Sequence, residues 1–338
     1  MLKTLNVFVL LLSAIVLSSS TSEAAEKRSQ WKVDQREIAG KGLAVLWVNA
    51  NIASRDLFHG PGGKKHLPRG RFTFVKEDLD GSSPKYVVTD QAGVKWKVKI
   101  GVEAKPETAA SRLVWAVGYF ADEDYFLPAL TIGNLPQRLH RGRSAFTSDG
   151  VVRNVRLKRY LPGEEKIGNW MWSEAPFKGT RELNGLRVMM ALINNWDLKD
   201  SNNVIVQTRA NGHNELQYII SDLGATFGHA SGTPLFWRIT RSRNNPKNYA
   251  NSDFLKKVKD NRVELKYGGK NRGLFKNINV DDATWIASWL SQLSDQQIRD
   301  AFRAANYTPS EINLLAGEVR QRTNELVSLR PGERIGRR

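Results

Sequence analysis

Asn194-Asn195-Trp196-Asp197-Leu198-Lys199-Asp200-Ser201-Asn202-Asn203 is the stretch from which the fold can be read. An apolar helix leads into it, because 181–194 places Leu183, Leu186, Met190 and Ile193 on one stripe. A hairpin follows it. Residues 204–206 and 218–220 read as strands around Asn211-Gly212, a strong two-residue turn signal. That hairpin runs into Ser221-Asp222-Leu223-Gly224. Alone, each polar run is an ordinary turn, since Asn, Asp, Ser and Gly favour turns. The order helix, D-x-K-x-x-N, hairpin and D-L-G is far less ordinary.

Upstream the pattern is β. From Arg71, Phe72 and Phe74 share one face of a strand, with Lys76 in phase with them. Asp78–Pro84 is a turn, 86–89 a second strand, and Asp90-Gln91-Ala92-Gly93 turns again. Residues 94–100 alternate strictly, with Val94, Trp96, Val98 and Ile100 on one face and Lys95, Lys97 and Lys99 on the other. An antiparallel three-stranded meander follows. Pro106-Glu107 opens a helix whose apolar face is Ala109, Ala110, Leu113, Ala116 and Val117, and Gly118 stops it. Residues 125–127 and 151–160 are further strands. Downstream, helices are expected near 252–261, 281–293, 295–305 and 309–329, with a capping box at Thr308-Pro309-Ser310-Glu311 and a weaker one at Ser294–Gln297. Gly60-Pro61-Gly62-Gly63-Lys64-Lys65 is surface loop and not a phosphate-binding P-loop, because His66-Leu67-Pro68 replaces the required Ser/Thr and helix start.

Composition bounds the function. The chain has 338 residues, 41% hydrophobic and 25% charged, enough for two lobes with sizeable cores. Lys3, an apolar run over 5–17 and small residues up to Ala24 have the grammar of a secretory signal peptide, which implies a periplasmic or secreted protein. An uncleaved N-terminal membrane anchor is the alternative. The absence of cysteine excludes disulfides, thiolate metal sites and cysteine nucleophiles. Five scattered histidines give no zinc-ligand spacing. A net charge of +17 favours anionic partners. No nucleic-acid-reading element is recognisable, so nucleic acid is not an expected partner. The organisation expected is a signal peptide over 1–24, an N-terminal extension over 26–70, an N-lobe over 71–161, a C-lobe over 162–329 and a basic tail over 330–338.

Taken together, the strand lysine, Asp197–Asn202 and Asp222–Gly224 resemble the atypical branch of the protein-kinase-like superfamily. The layout is similar to HipA-type kinases, phosphoinositide 3/4-kinases and secretory-pathway casein kinases. The resemblance implies an α+β fold in two lobes: an antiparallel-sheet N-lobe with one main helix and a mostly helical C-lobe. It also implies ATP as phosphoryl donor with Mg²⁺ or Mn²⁺. In such a site Lys99, with Lys97 as competitor, meets the α- and β-phosphates, and Glu107 holds that lysine. Ser82 and Ser83 offer donors to phosphate from a turn. Asp197 orients the acceptor hydroxyl and takes its proton, while Lys199 neutralises the moving phosphoryl group. Asn202 and Asp222 bind metal through oxygen. Asn195-Trp196 replaces the usual His-Arg before the aspartate, and no A-P-E segment is recognisable, so ordinary protein-kinase control does not carry over. Residues 224–251, with Phe236 and Trp237 as anchors, are a candidate acceptor surface. The acceptor is a protein, lipid or sugar, and adenylyl transfer is a further chemistry open to this fold. The alternative function is a catalytically inactive kinase-fold envelope protein that binds anionic lipid or glycan.

Overall fold

A computed structural model describes residues 38, 40–81, 83–161, 163–173, 176–210, 212–229 and 241–330. The fold is α+β and has two lobes, as the sequence implies. In the first lobe, β2 (Phe72–Asp78), β3 (Lys85–Thr89) and β4 (Lys95–Ile100) form the expected antiparallel meander. β6 (Asp124–Gly133) and β7 (Val151–Arg159) extend it, and a parallel β2–β6 pairing closes the five strands into a barrel. Closure removes the open sheet edges. The alternation of β4 fills the barrel with Trp96, Val98 and Ile100, beside Tyr86, Tyr125 and Leu157. Trp96 is buried, and its indole N–H finds a partner in Asp90 Oδ2 at 2.9 Å.

Helix α1 (Ala104–Ala116) lies outside the barrel and is buried on nearly every side. Its Ala and Ser residues permit close approach, and Leu113, Val114 and Val117 join the large core of the second lobe. That lobe contains α2 (Arg181–Leu192), the hairpin β9 (Val204–Ala210) and β10 (His213–Ile220), and helices α4 (Val280–Leu290), α5 (Asp295–Ala304) and α6 (Pro309–Val327). α3 (Pro246–Ala250) is a single short turn. Both capping boxes form, at Ser294/Gln297 and Thr308/Glu311. Among the described residues, no helix is long and apolar enough to cross a membrane.

Three features depart from the sequence-based expectation. Residues 252–261 are not helical: β11 (Leu255–Lys259) and β12 (Arg262–Leu265) form a hairpin. Asp260 and Asn261 both take positive φ at its tip, as a mirror-image two-residue turn demands. Val258 and Val263, opposite each other, are its buried pair. Second, β1 (Leu43–Val45) and β5 (Phe120–Ala121) each pair in parallel with β10, and β8 (Glu165–Gly168) pairs with β9. Third, the segment before the barrel is part of the second lobe's core, since Ile38, Leu46, Ile52 and Leu57 are buried there. Ser82, Asn211, Phe236, Trp237, the signal-like segment 1–24 and the tail 331–338 lie outside the described residues.

Candidate active site

Strand β4 supplies the first functional group. Lys99 points away from the barrel core and under α1, which leaves it only 3% exposed. Three carboxylates reach its Nζ: Asp222 at 2.5 Å, Glu107 at 2.8 Å and Glu103 at 3.3 Å. Burial works against the ammonium, but Glu107 and Asp222 outweigh it and hold its pKa above the ordinary lysine value. Lys97, the competitor, sits nearer the mouth and pairs with Asp78 at 2.7 Å. Geometry therefore separates the two lysines, and only Lys99 meets the helix acid and the D-L-G acid together. Glu107, eight residues further on, reaches Lys99 despite the short connection.

A buried residue that sequence analysis did not single out completes this layer. Arg156 lies directly across from Lys99 in the β4–β7 register. Two cations side by side on neighbouring strands repel. Glu107 resolves this by taking Lys99 on Oε2 and Arg156 on Oε1. Arg156 Nε also faces Asp124 Oδ1 at 3.4 Å, and Ser111 donates to Asp124 Oδ2 at 2.7 Å. Lys158 pairs with Asp122 at 2.5 Å, and Ser221 also donates to Asp122. Lys99, Arg156 and Lys158 then face Glu107, Asp122, Asp124 and Asp222, so Asp124 has only a share of Arg156, which Glu107 also holds. Burial, with Asp122 and Glu107 nearby, accordingly pushes the Asp124 carboxyl up to about 7, although Arg156 pulls the other way. Carboxylate oxygens of Glu107, Asp122 and Asp124 lie within 4.8 Å of one another. Arg156 and Lys158 already occupy that cluster, so it is a charge network and not a metal centre.

The Asn194–Asn203 stretch forms the floor on the other side. It leaves α2 through Asn194, which takes a left-handed φ of 51°. Asn194 Nδ2 donates to Gly228 O at 2.8 Å, and Asn195 Oδ1 accepts from Asp197 N at 3.2 Å. Arg322 on α6, fully buried, donates to Leu192 O and Asn194 Oδ1 and pairs with Glu318 at 2.6 Å. These bonds fix where Asp197 emerges. Its carboxylate meets Lys199 at 2.8 Å and Lys270 at 2.6 Å. The hydrogen bond to Asp197 is the main reason the Lys199 pKa is raised. Asn202, in the 3-10 turn Asp200–Asn202, donates from Nδ2 to Asp197 O at 3.2 Å.

Asp222 follows the end of β10 in the left-handed region, with φ of 57°. Aspartate tolerates that conformation better than most side chains, and such strain collects at functional sites. Burial raises its pKa, but Lys99 more than reverses this and holds it below the usual carboxylate range. Leu223 anchors the turn in the core. A Cβ at Gly224 would lie 2.7 Å from Glu103 Cβ, so the close approach of this turn to α1 requires glycine. Ser83 donates to Glu103 at 3.1 Å, and Glu103 also pairs with Arg243.

Lys99, Glu107, Ser83, Asp197, Lys199, Asn202 and Asp222 all line one cleft of about 720 Å³ between the lobes. Ser82, and Phe236 and Trp237 of the candidate acceptor surface, are not placed, because they are not among the described residues. The donor set suits a hard divalent cation. Asn202 uses its amide nitrogen on the Asp197 carbonyl, so only its Oδ1 is suited to a cation. Asp222 gives one oxygen to Lys99 and keeps the other. Sequence analysis missed Glu103, Arg156, Lys270 and Arg322: Arg156 and Lys270 meet partners distant in sequence, while the i, i+4 pairs Lys99–Glu103 and Glu318–Arg322 read as ordinary local ion pairs.

No family model and no curated protein matches the chain. Among solved structures, three kinase structures are similar to it over part of its length. A proinflammatory kinase of Helicobacter pylori, CtkA, is similar over 77% of this chain and 96% of its own, at 11% identity and a TM-score of 0.45. A Golgi casein kinase is similar over 77% of this chain and 73% of its own, at 9% identity and a TM-score of 0.42. The Golgi casein kinase with Mn/ADP bound gives 10% identity and a TM-score of 0.39 over the same shares. The chemistry of the cleft is carried by its own residues.

Proposed function

We propose that this chain is an atypical kinase that transfers the γ-phosphoryl group of ATP to an acceptor hydroxyl. The observation that carries this is the convergence of Lys99, Glu107 and Asp222 with Asp197 and Asn202 on one cleft. Phosphoryl transfer needs held phosphates, placed positive charge and an oriented hydroxyl, and little else from a protein. Lys99 reaches the α- and β-phosphates, fixed in place by Glu107. Asp197 accepts the acceptor's proton as the new O–P bond forms and the bond from Pγ to the β–γ bridging oxygen breaks, which releases ADP. Lys199 offsets charge on the moving phosphoryl oxygens. Asn202 Oδ1 and the Asp222 carboxylate would hold Mg²⁺ or Mn²⁺, which would supply Lewis-acid charge to the phosphates. The signal-like N-terminus and the charge of +17 support action outside the cytoplasm on an acceptor at an anionic surface. The 26–70 extension, the 71–161 and 162–329 lobes and the 330–338 tail are proposed as the organisation of the chain.

The test is a thermal shift screen of purified protein with nucleotides and Mg²⁺ or Mn²⁺. A shift with ATP plus metal is expected, and Asp222→Ala should abolish most of it. Asp197→Ala should keep the shift but lose transfer by about 10²-fold or more. Label supplied on the α- or the γ-phosphate separates adenylyl from phosphoryl transfer. No shift with any nucleotide, together with salt-sensitive binding to anionic vesicles or glycans that Asp197→Ala leaves intact, would favour the inactive envelope protein instead.

A further inference from the structure

We propose that Lys270 is a positioning residue for Asp197, held in place by the packing of residues 268–271 against the Asp197 loop. The inference rests on the kinase function proposed above. Asp197 has a separate lysine on each oxygen: Lys199 on Oδ2 at 2.8 Å and Lys270 on Oδ1 at 2.6 Å. The two lysines are not equivalent. Lys199 belongs to the same loop and moves with Asp197. Lys270 follows the β11–β12 hairpin and ties the carboxylate to a separate part of the lobe. Its own segment is held against the Asp197 loop at four points. Lys270 N donates to Trp196 O at 2.8 Å, and Asn271 Nδ2 donates to Leu198 O at 2.7 Å. Gly269 passes so close that a Cβ there would sit 2.6 Å from Trp196 Cα. Arg241 donates to Gly268 O at 3.1 Å while its guanidinium lies over the Trp196 ring.

The physical consequence is a fixed carboxylate plane. A carboxylate held on one oxygen still turns about its terminal bond, whose rotamer well is broad. The ion pair of Lys270 with the other oxygen restrains that rotation by charge from a second direction. Proton transfer depends on such alignment within hydrogen-bond reach. Lys270 also lines the cleft, so its charge is set at the reaction and not on an outer surface.

The experiment is a double-mutant cycle on the full chain with Lys270→Met, Asp197→Asn and the pair, plus Lys270→Arg. Hydrolysis of ATP with Mg²⁺, water serving as acceptor, gives kcat and KM, and unfolding gives the melting temperatures. Lys270→Met should lower kcat about 10-fold, with KM changed less than about 2-fold. Lys270→Arg should recover most of the loss. In the Asp197→Asn background Lys270→Met should have no further effect on kcat. The double mutant should melt about 1 °C or more above the sum of the single losses. Unchanged kcat in Lys270→Met, a rise in KM alone, or independent effects of the two substitutions would overturn the inference. If wild type shows no nucleotide-plus-metal shift, the proposed kinase function fails instead. The melting-temperature cycle still decides whether Lys270 and Asp197 act as a unit.

Discussion

Replacement of Arg156 by Leu removes the central cation of a buried network while keeping the apolar stem's bulk. Arg156 is 3% exposed and contacts Glu107 and Asp124. Its loss leaves Lys99 and Lys158 to balance Glu107, Asp122 and Asp222, so one buried carboxylate is uncompensated. Removal of one partner from a buried ion pair typically costs about 3–5 kcal/mol, because the surviving charge is stranded in a poor solvent. Some of that is recovered when the network takes up a proton. At roughly 2 °C per kcal/mol for a large chain, the melting temperature should fall by about 6–10 °C. Arg156→Lys should fall by less, since one ammonium replaces only one of the two contacts. Differential scanning fluorimetry and urea unfolding measure both variants, and the nucleotide shift of the surviving folded protein reports on Lys99. If Arg156→Leu melts within about 2 °C of wild type, the network is not the buried charge balance described here.

Three further outcomes are expected. Asp124 has a folded-state pKa of about 7 against an unfolded value of 3.8, so the folded state binds the extra proton and stability falls as pH rises from 4 to 7. Asp124→Asn cannot ionise, so its stability should gain on wild type across that window by on the order of 4 kcal/mol and stay level above it, as urea midpoints at stepped pH will show. A gap that does not change with pH would refute the assignment. Gly269→Ala drives a Cβ into the Tyr267 ring and to 2.6 Å from Trp196 Cα, and should cost about 1–3 kcal/mol in thermal unfolding while lowering ATP hydrolysis; full activity would show that this packing is not needed. Asp222→Ala and Asp197→Ala should part company, the first losing metal–nucleotide binding and the second losing turnover.

Much of this protein was written locally. The alternation over 94–100 put Trp96, Val98 and Ile100 in the barrel and the lysines on the opposite face, because a strand's side chains alternate whatever surrounds it. The Asn-Gly hairpin, the helix before Asp197 and the capping box at Thr308 are likewise set by residues within a few positions of one another. Near 252–261 local signals misled. A helix is expected there, but Phe254, Val258 and Val263 pack against the larger core as part of a hairpin turned at Asp260-Asn261.

For the cleft, the sequence alone determined which residue types stood ready: a strand lysine, a helix acid, D-x-K-x-x-N and D-L-G. Only the tertiary structure chose between Lys97 and Lys99, because burial under α1 is a property of packing and not of alternation. It also decided that Arg156 stands opposite Lys99, that Glu107 bridges the two, and that Lys270 closes on Asp197. Charge in a low-dielectric interior must be balanced by whatever the fold brings within about 4 Å. Those partners come from strands, loops and helices far apart in the chain, and no spacing rule connects them.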